Sequence, residues 1–240
     1  MNKNIGFNRN VKLDWLDAAA VFSTETSDRT EIRQRLDVVL SEDRTGVDAK
    51  RKTIDILINI WIKNGEENPS LLKFALDYYK GTVNPSDRLW LHYGLIIVYY
   101  GFFRDCAAII GQLSKHGELI TNTKIKKKLI SQRGHLGSLE RSVERITSSL
   151  RDWGLLIDSE KRNAYLAQYR LIETDNLELQ AWLLSCSLKA NQAHQIPYED
   201  LLRLPELFPF KFTLNIDFLR SHPGFDVYRQ GAGLNMVEIK

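Results

Sequence analysis

Apolar residues along this chain recur mostly at helical spacing, and the places where that rhythm changes divide it into segments 1–100, 101–175 and 176–240. In the first, Val11 to Phe22 is expected to form a helix anchored by Leu13, Trp15, Leu16 and Val21. Asp28, with Glu31 three residues on, makes a capping arrangement for a helix through Leu40 that points Ile32, Leu36 and Val39 inward. Ile54, Leu57, Ile58 and Trp61 repeat at the helical period within Lys50 to Lys63, and Asn64 and Gly65 are expected to stop that helix. Asn68 and Pro69 read as an N-cap and first helical residue, with Gly81 just past the end. Asn84 and Pro85 lead into the next helix, with Ser86 or Asp87 as its cap. Leu89 to Phe103 is the most apolar stretch, a central helix covered by its neighbours, and Phe102 to His116 comes next with Ala107, Ile110 and Leu113 inward.

The middle segment changes pattern. Thr121 is placed to cap a short helix, Asn122 to Gln132, whose core contacts are Ile125 and Leu129. Arg133 to Gly137 contains two glycines and permits a sharp turn. Leu139, Val143, Ile146, Leu150 and Trp153 then fall at steps of four, three, four and three, one stripe of a helix with Ser138 as its cap and Gly154 as its stop. The opposite face carries Arg141, Ser142, Glu144, Arg145, Ser148 and Arg151. Leu155 to Asp158 and Tyr165 to Leu171 can pair around a polar tip, Ser159 to Asn163. Helix, turn, helix, hairpin is the order of a winged helix-turn-helix, in which the second helix enters the major groove and the hairpin is the wing.

In the last segment Leu177 to Ala190 is an apolar-faced helix with Leu179, Trp182, Leu183 and Cys186, and beyond it Pro197, Pro205 and Pro209 break the chain into short pieces. Phe225 to Arg229 and Leu234 to Ile239 flank Gln230 to Gly233 as a β-hairpin, with a third strand expected from Lys211 to Leu214. The fold class expected is mainly α: a helical N-terminal body, a central winged helix-turn-helix and a small C-terminal α+β part ending in a hairpin.

Charge sharpens the middle segment. Thr121 to Tyr165 holds ten Lys and Arg against five Asp and Glu, whereas the rest of the chain holds 23 basic and 25 acidic residues. A net charge of +3 therefore hides a positive module on a near-neutral body, the electrostatic footprint of a duplex-binding surface. The candidate DNA contacts are Lys124, Lys126, Lys127, Arg133, Ser138, Arg141, Ser142, Arg145, Lys161 and Arg162. Glu140 and Glu144 on the same helix repel phosphate, which assigns most of the contact to Arg141, Arg145 and the wing. The run Lys126 to Lys128 also fits a solvated helix face, and winged-helix folds also dock proteins.

Candidate chemistry is sparse. His92, His116, His135, His194 and His222 stand without partners at ligand spacing, so no metal and no cofactor is expected. There is no phosphate loop and no nucleophile elbow. Asp226 with Glu238 and Lys240 bears a loose likeness to a magnesium nuclease set, but the spacing is wide and Lys240 is the last residue, so the expectation is a non-enzyme. Cys106 and Cys186 lie in apolar helical contexts and read as buried thiols of a reduced cytosol. Met1 to Asn10 lacks a signal-like apolar run, and Leu89 to Phe103, at fifteen residues, is shorter than the about twenty a bilayer needs. A cytoplasmic protein with no membrane partner is expected.

The run Ser142-Val-Glu-Arg-Ile-Thr-Ser-Ser-Leu-Arg-Asp-Trp-Gly-Leu-Leu156, the helix from Leu177 and the closing Phe225-Asp-Val-Tyr-Arg-Gln-Gly-Ala-Gly-Leu-Asn-Met-Val-Glu-Ile239 together resemble the BrxA family of BREX bacteriophage-defence systems. The likeness extends over Asp28 to Ile239, and Gly6 to Trp15 departs from the family pattern. That leaves a divergent member or a related subunit of a different defence operon. The resemblance implies a largely helical, non-catalytic protein that binds double-stranded DNA beside a methyltransferase, an ATPase and a phosphatase-like partner. Two alternatives stand next to it. One is a docking adaptor using Trp15, Trp61, Trp90, Tyr99, Tyr100 and the C-terminal hairpin. The other is a transcription regulator, which requires a homodimer on a palindromic site.

Overall fold

The computed structural model describes residues 6–43, 46–81, 84–134, 137–191, 193, 195–231 and 233–240. The chain is mainly helical, beginning with α1 (Leu13–Glu25), α2 (Arg29–Ser41) and α3 (Val47–Ile58). Asp28 caps α2 as expected, its carboxylate accepting from the N–H groups of Thr30 and Glu31 at 2.8 and 3.4 Å. The expected stop after Lys63 does not occur. The backbone passes through a π-helical turn, Asn59–Lys63, into α4 (Asn64–Glu67). Asn64 continues the helix because its side chain is buried and bonded, donating to the Leu95 carbonyl at 2.9 Å and accepting from Asn68 at 3.0 Å. Asn68 therefore contributes no side-chain cap to α5 (Pro69–Lys80), which starts on Pro69 alone.

Asn84, rather than Ser86 or Asp87, caps α6 (Pro85–Tyr99), accepting from the Ser86 N–H at 3.3 Å. Asp87 is instead buried and accepts from the Tyr78 hydroxyl at 2.7 Å. The apolar run expected as one helix from Leu89 to Phe103 breaks at Tyr100 into α6 and α7 (Gly101–Lys115), bent by 115°. Tyr100 is fixed at the corner by Phe7, edge-on at 5.4 Å, and by the Asn59 amide, which donates to its hydroxyl at 3.0 Å. Among the described residues no single helix is long and apolar enough to cross a membrane; α6 and α7 pass that test only as the bent pair.

Next come α8 (Asn122–Arg133), α9 (Leu139–Asp152), the antiparallel pair β1 (Leu156–Asp158) and β2 (Tyr165–Ala167), and α10 (Leu177–Ala190) with the bounds its pattern predicts. α10 lies on α6 where Gly94 lets Trp182 in: a Cβ at Gly94 would be 2.5 Å from the indole. The C-terminal part holds β3 (Gln195–Pro197), α11 (Tyr198–Leu201), a 3₁₀ turn at Pro205–Leu207, α12 (Ile216–Ser221), β4 (Phe225–Gln230) and β5 (Leu234–Ile239). The antiparallel sheet runs β3, β5, β4, with Ile196 and Val227 both opposite Val237. The third strand is thus 195–197 and not Lys211 to Leu214. That stretch is held by a side chain instead: the Gln180 amide oxygen accepts from the N–H groups of Thr213 and Leu214 at 2.8 and 3.1 Å. At the β4–β5 turn Gly231 and Gly233 have φ of +57° and +103°, and Ala232 lies outside the described residues.

One apolar cluster runs from Phe7 to Val237 and draws on all three segments of the sequence. It absorbs Trp15, Trp61, Trp90 and Tyr100, with Tyr99 half-buried, so these aromatics do not form a docking face on the body. Cys106 and Cys186 are buried in it as free thiols, and burial pushes both well above the ordinary thiol range.

Candidate nucleic-acid interface

The cationic segment is built from the end of α7 onward. Ile120 exchanges both backbone hydrogen bonds with Tyr165, at 2.9 and 2.8 Å, which lays the approach to α8 along β2. Thr121 then caps α8, its hydroxyl accepting from the Lys124 N–H at 3.2 Å. Ile125 and Leu129 are buried, and Gly134 leaves the helix at φ +76°. Within the turn to α9, His135 and Leu136 lie outside the described residues, as does His194 further on.

Leu139, Val143, Ile146 and Leu150 of α9 are buried, as is Trp153 at its C-cap. The helix closes in a Schellman motif: Leu155 N–H donates to the Leu150 carbonyl at 2.8 Å and Gly154 N–H to Arg151 at 2.9 Å, with Gly154 at φ +72°. The hairpin pairs Leu156 with Ala167, Ile157 with Leu166 and Asp158 with Tyr165. Asn163 at φ +58° turns its tip. β2 stops at Ala167 rather than reaching Leu171, because Arg170 (φ +54°) turns the chain aside and Arg170 and Ile172 donate to the carbonyls of Phe208 and Pro209 at 2.7 and 2.9 Å.

Five of the ten expected contact residues, Lys127, Arg141, Arg145, Lys161 and Arg162, are exposed and have no carboxylate partner among the described residues. Lys124 is paired with Glu118 at 2.7 Å. Lys126 is largely covered and reaches across to α9, 3.3 Å from Glu144 and 3.8 Å from Glu140, which offsets the two acids that count against phosphate contact. Two of the ten lie away from the open surface. Arg133 is largely buried and ion-paired with Asp105 of α7, so it braces α7 against α8 instead of facing outward. Ser142 is fully buried, its hydroxyl without a partner among the described residues, because the buried arc of α9 is wider than the five-residue stripe and takes in Ser142, Thr147 and Ser149. Ser138 is exposed at the N-cap position but makes no side-chain capping bond.

One contributor was not expected from the sequence. The segment before α1 lies along α9: Val11 N–H donates to the Ser149 hydroxyl at 2.9 Å, Asn10 donates to Asp152 at 2.7 Å and the Trp153 indole donates to the Val11 carbonyl at 2.8 Å. Phe7 is fully buried against Phe103 and Trp153, with ring centroids 5.1 and 6.5 Å away. Its only trace in the sequence is the pair Phe7 and Val11, two apolar residues four apart in a polar run.

The remaining acids of the module are also engaged, apart from Glu160 at the hairpin tip. Asp158 accepts from Arg151 at 2.8 Å, and that guanidinium lies 5.1 Å over the Tyr165 ring. Elsewhere Asp226 and Glu238 are directly opposite each other on β4 and β5, and among the described residues no group of three or more His, Cys, Asp or Glu side chains could hold a metal ion. Comparison with protein-family models, curated proteins and solved structures finds no match to this chain.

Proposed function

We propose that segment 101–175 is a winged helix-turn-helix that binds double-stranded DNA, with α9 in the major groove, β1–β2 as the wing, and contact mainly to backbone phosphates. The observation that carries this is the set of five exposed cations without carboxylate partners on α8, α9 and the hairpin tip, while most acids of the same module are turned into ion pairs or hydrogen bonds. The resemblance of 142–156 and the closing hairpin to the BrxA family supports placing the chain as a non-catalytic accessory subunit of a BREX-like phage-defence system, in the cytoplasm beside a methyltransferase, an ATPase and a phosphatase-like protein. The contact set holds no asparagine or glutamine poised for base edges, which favours weak sequence preference.

Fluorescence anisotropy with a labelled generic duplex tests the reading. Five phosphate contacts give a slope of log affinity on log salt of about −4.5, a loss of roughly 500-fold between 50 and 200 mM salt. Arg141→Ala with Arg145→Ala should reduce that slope by about 1.8. Affinity that ignores salt, or a slope unchanged in the double variant, refutes it.

A docking adaptor is the second reading, favoured by exposed apolar residues at two places: the cross-strand pair Ile157 and Leu166 on β1–β2, and Tyr228, Leu234 and Ile239 on β4–β5. Co-purification with neighbouring subunits without any shift of labelled duplex would select it.

A further inference from the structure

Away from the open face of α9, the end of α7, the turn around Arg170 and the segment 202–208 enclose a cavity of about 170 Å³. It exists because α7 can approach closely at Gly111, where a Cβ would lie 1.9 Å from the Pro205 carbonyl oxygen. Leu207 and Phe208 form a buried apolar floor, whereas Lys115, His116, Arg170 and Arg203 stand exposed around the rim, and among the described residues no carboxylate lines it.

Three features favour an anion here. Arg170 is held in the left-handed region, its N–H bonded to the Phe208 carbonyl and its guanidinium 5.4 Å over the Tyr169 ring, so the charge is placed by the backbone turn. Two of the carbonyls at the end of α7, which would repel an anion, are already satisfied: Glu118 N–H donates to Leu113 and Gly117 N–H to Ser114, both at 3.0 Å, with Gly117 at φ +67°. Three acids lie close by without lining it: Glu206, between Pro205 and Leu207, is buried, with its carboxyl raised by that burial and facing the Asn191 amide at 3.5 Å. Glu118 is bonded to Lys124, and Glu199 is 3.4 Å from Arg203, an exposed pair that a bound anion can outcompete.

We propose that this cavity binds a small phosphate monoester, with the phosphate between Lys115, Arg170 and Arg203 and the carbon part on Leu207 and Phe208. His116 offers a ring N–H in either protonation state. Several positive groups around one hollow suit a doubly charged tetrahedral anion better than a single carboxylate, and two guanidinium forks match paired phosphate oxygens. The volume is below the roughly 300–1,000 Å³ of drug-sized pockets, so the ligand is a phosphate on a short chain or a single ring and not a dinucleotide. This site is independent of the duplex reading.

Calorimetric titration of the full chain with inorganic phosphate, glycerol 3-phosphate and phenyl phosphate, at ionic strength fixed with sodium chloride, tests it. Vesicles containing phosphatidic acid form a fourth arm. The expected result is saturable binding of the soluble monoesters, weakened at least tenfold by Lys115→Met with Arg203→Met and unchanged by Arg141→Ala with Arg145→Ala. In the unsubstituted chain the monoesters should also raise the melting temperature above that in chloride, a readout that needs no variant. The proposal is overturned if none of the soluble anions exceeds chloride in both measurements, or if only the vesicles bind. It also falls if the Lys115, Arg203 variant keeps monoester binding while losing duplex affinity, for then those cations belong to the duplex footprint.

Discussion

The indole N–H of Trp153, just past the end of α9, donates at 2.8 Å to the carbonyl of Val11, a residue that precedes the first helix. Together with the Val11 to Ser149 bond and the burial of Phe7, it makes the opening segment part of the floor beneath α9. Phe7→Ala removes a fully buried ring from that floor and should cost about 3–5 kcal/mol, read as a lowered denaturant midpoint with an unchanged slope. A cost under about 1 kcal/mol would mean that the segment does not seat there in solution.

Arg133 and Ser142 separate stability from binding. Breaking the largely buried Arg133 to Asp105 pair with Arg133→Ala should cost about 3 kcal/mol while leaving duplex affinity within twofold, since the guanidinium faces α7. Ser142→Ala should be neutral or stabilising by up to about 1 kcal/mol, because it deletes a buried hydroxyl that has no partner among the described residues. Loss of duplex binding in either folded variant would return those residues to the contact set.

Glu140 and Glu144 give the opposite sign. Both acids sit on the exposed side of α9 and hold Lys126. Replacing them with glutamine removes two negative charges and releases a lysine, so duplex affinity should rise about fivefold at low salt, on the order of 0.5 kcal/mol per screened charge. Weaker binding in the anisotropy assay would show that Lys126 must be oriented by these acids to act.

A pH dependence arises from buried His92 and the half-buried Asp17, Tyr79 and Arg88 around it. Burial lowers His92 below the ordinary imidazole value of 6.5, and the neutral ring donates its Nε2–H to Asp17 at 2.9 Å. Burial raises the Asp17 carboxyl, but the hydrogen bond from His92 and its charge once protonated in acid, the Tyr79 hydroxyl and the charge of Arg88 together outweigh it and hold the group below its usual value of 3.8. The His92 contribution is complete above about pH 6.5 and is lost as pH falls toward its folded value, because only the unfolded chain takes up the proton there. That of Asp17 is complete above its unfolded value and lost in stronger acid. The unfolding free energy should therefore decline as pH drops below 6.5, this group contributing a slope of at most about 1.4 kcal/mol per pH unit, read from denaturation curves between pH 7.5 and 5. His92→Gln should flatten that slope, and an unchanged slope would refute the assignment.

Helices with their own amphipathic logic were legible in the sequence. The stripe of α9, the bounds of α10, the Asp28 cap and the β4–β5 hairpin each derive from local spacing and turn residues. What escaped was decided by distant partners. Asn64 looks like a helix stop until the Leu95 carbonyl takes its amide, and 211–214 looks like a strand until Gln180 occupies its N–H groups. The corner at Tyr100 depends on Phe7 and Asn59, neither of which is near it in sequence. Within the candidate interface, solvent-facing charges on α9 and the hairpin could be read from periodicity. Arg133 could not, since its acid lies 28 residues upstream on another helix.

The tie between Val11 and Trp153 also sets an order of events during synthesis. These residues are 142 positions apart, so Phe7 and Val11 emerge from the ribosome long before their seat exists. At about 5–20 residues per second they wait roughly 7–28 s with an apolar ring uncovered, an interval in which chaperones can engage the nascent chain.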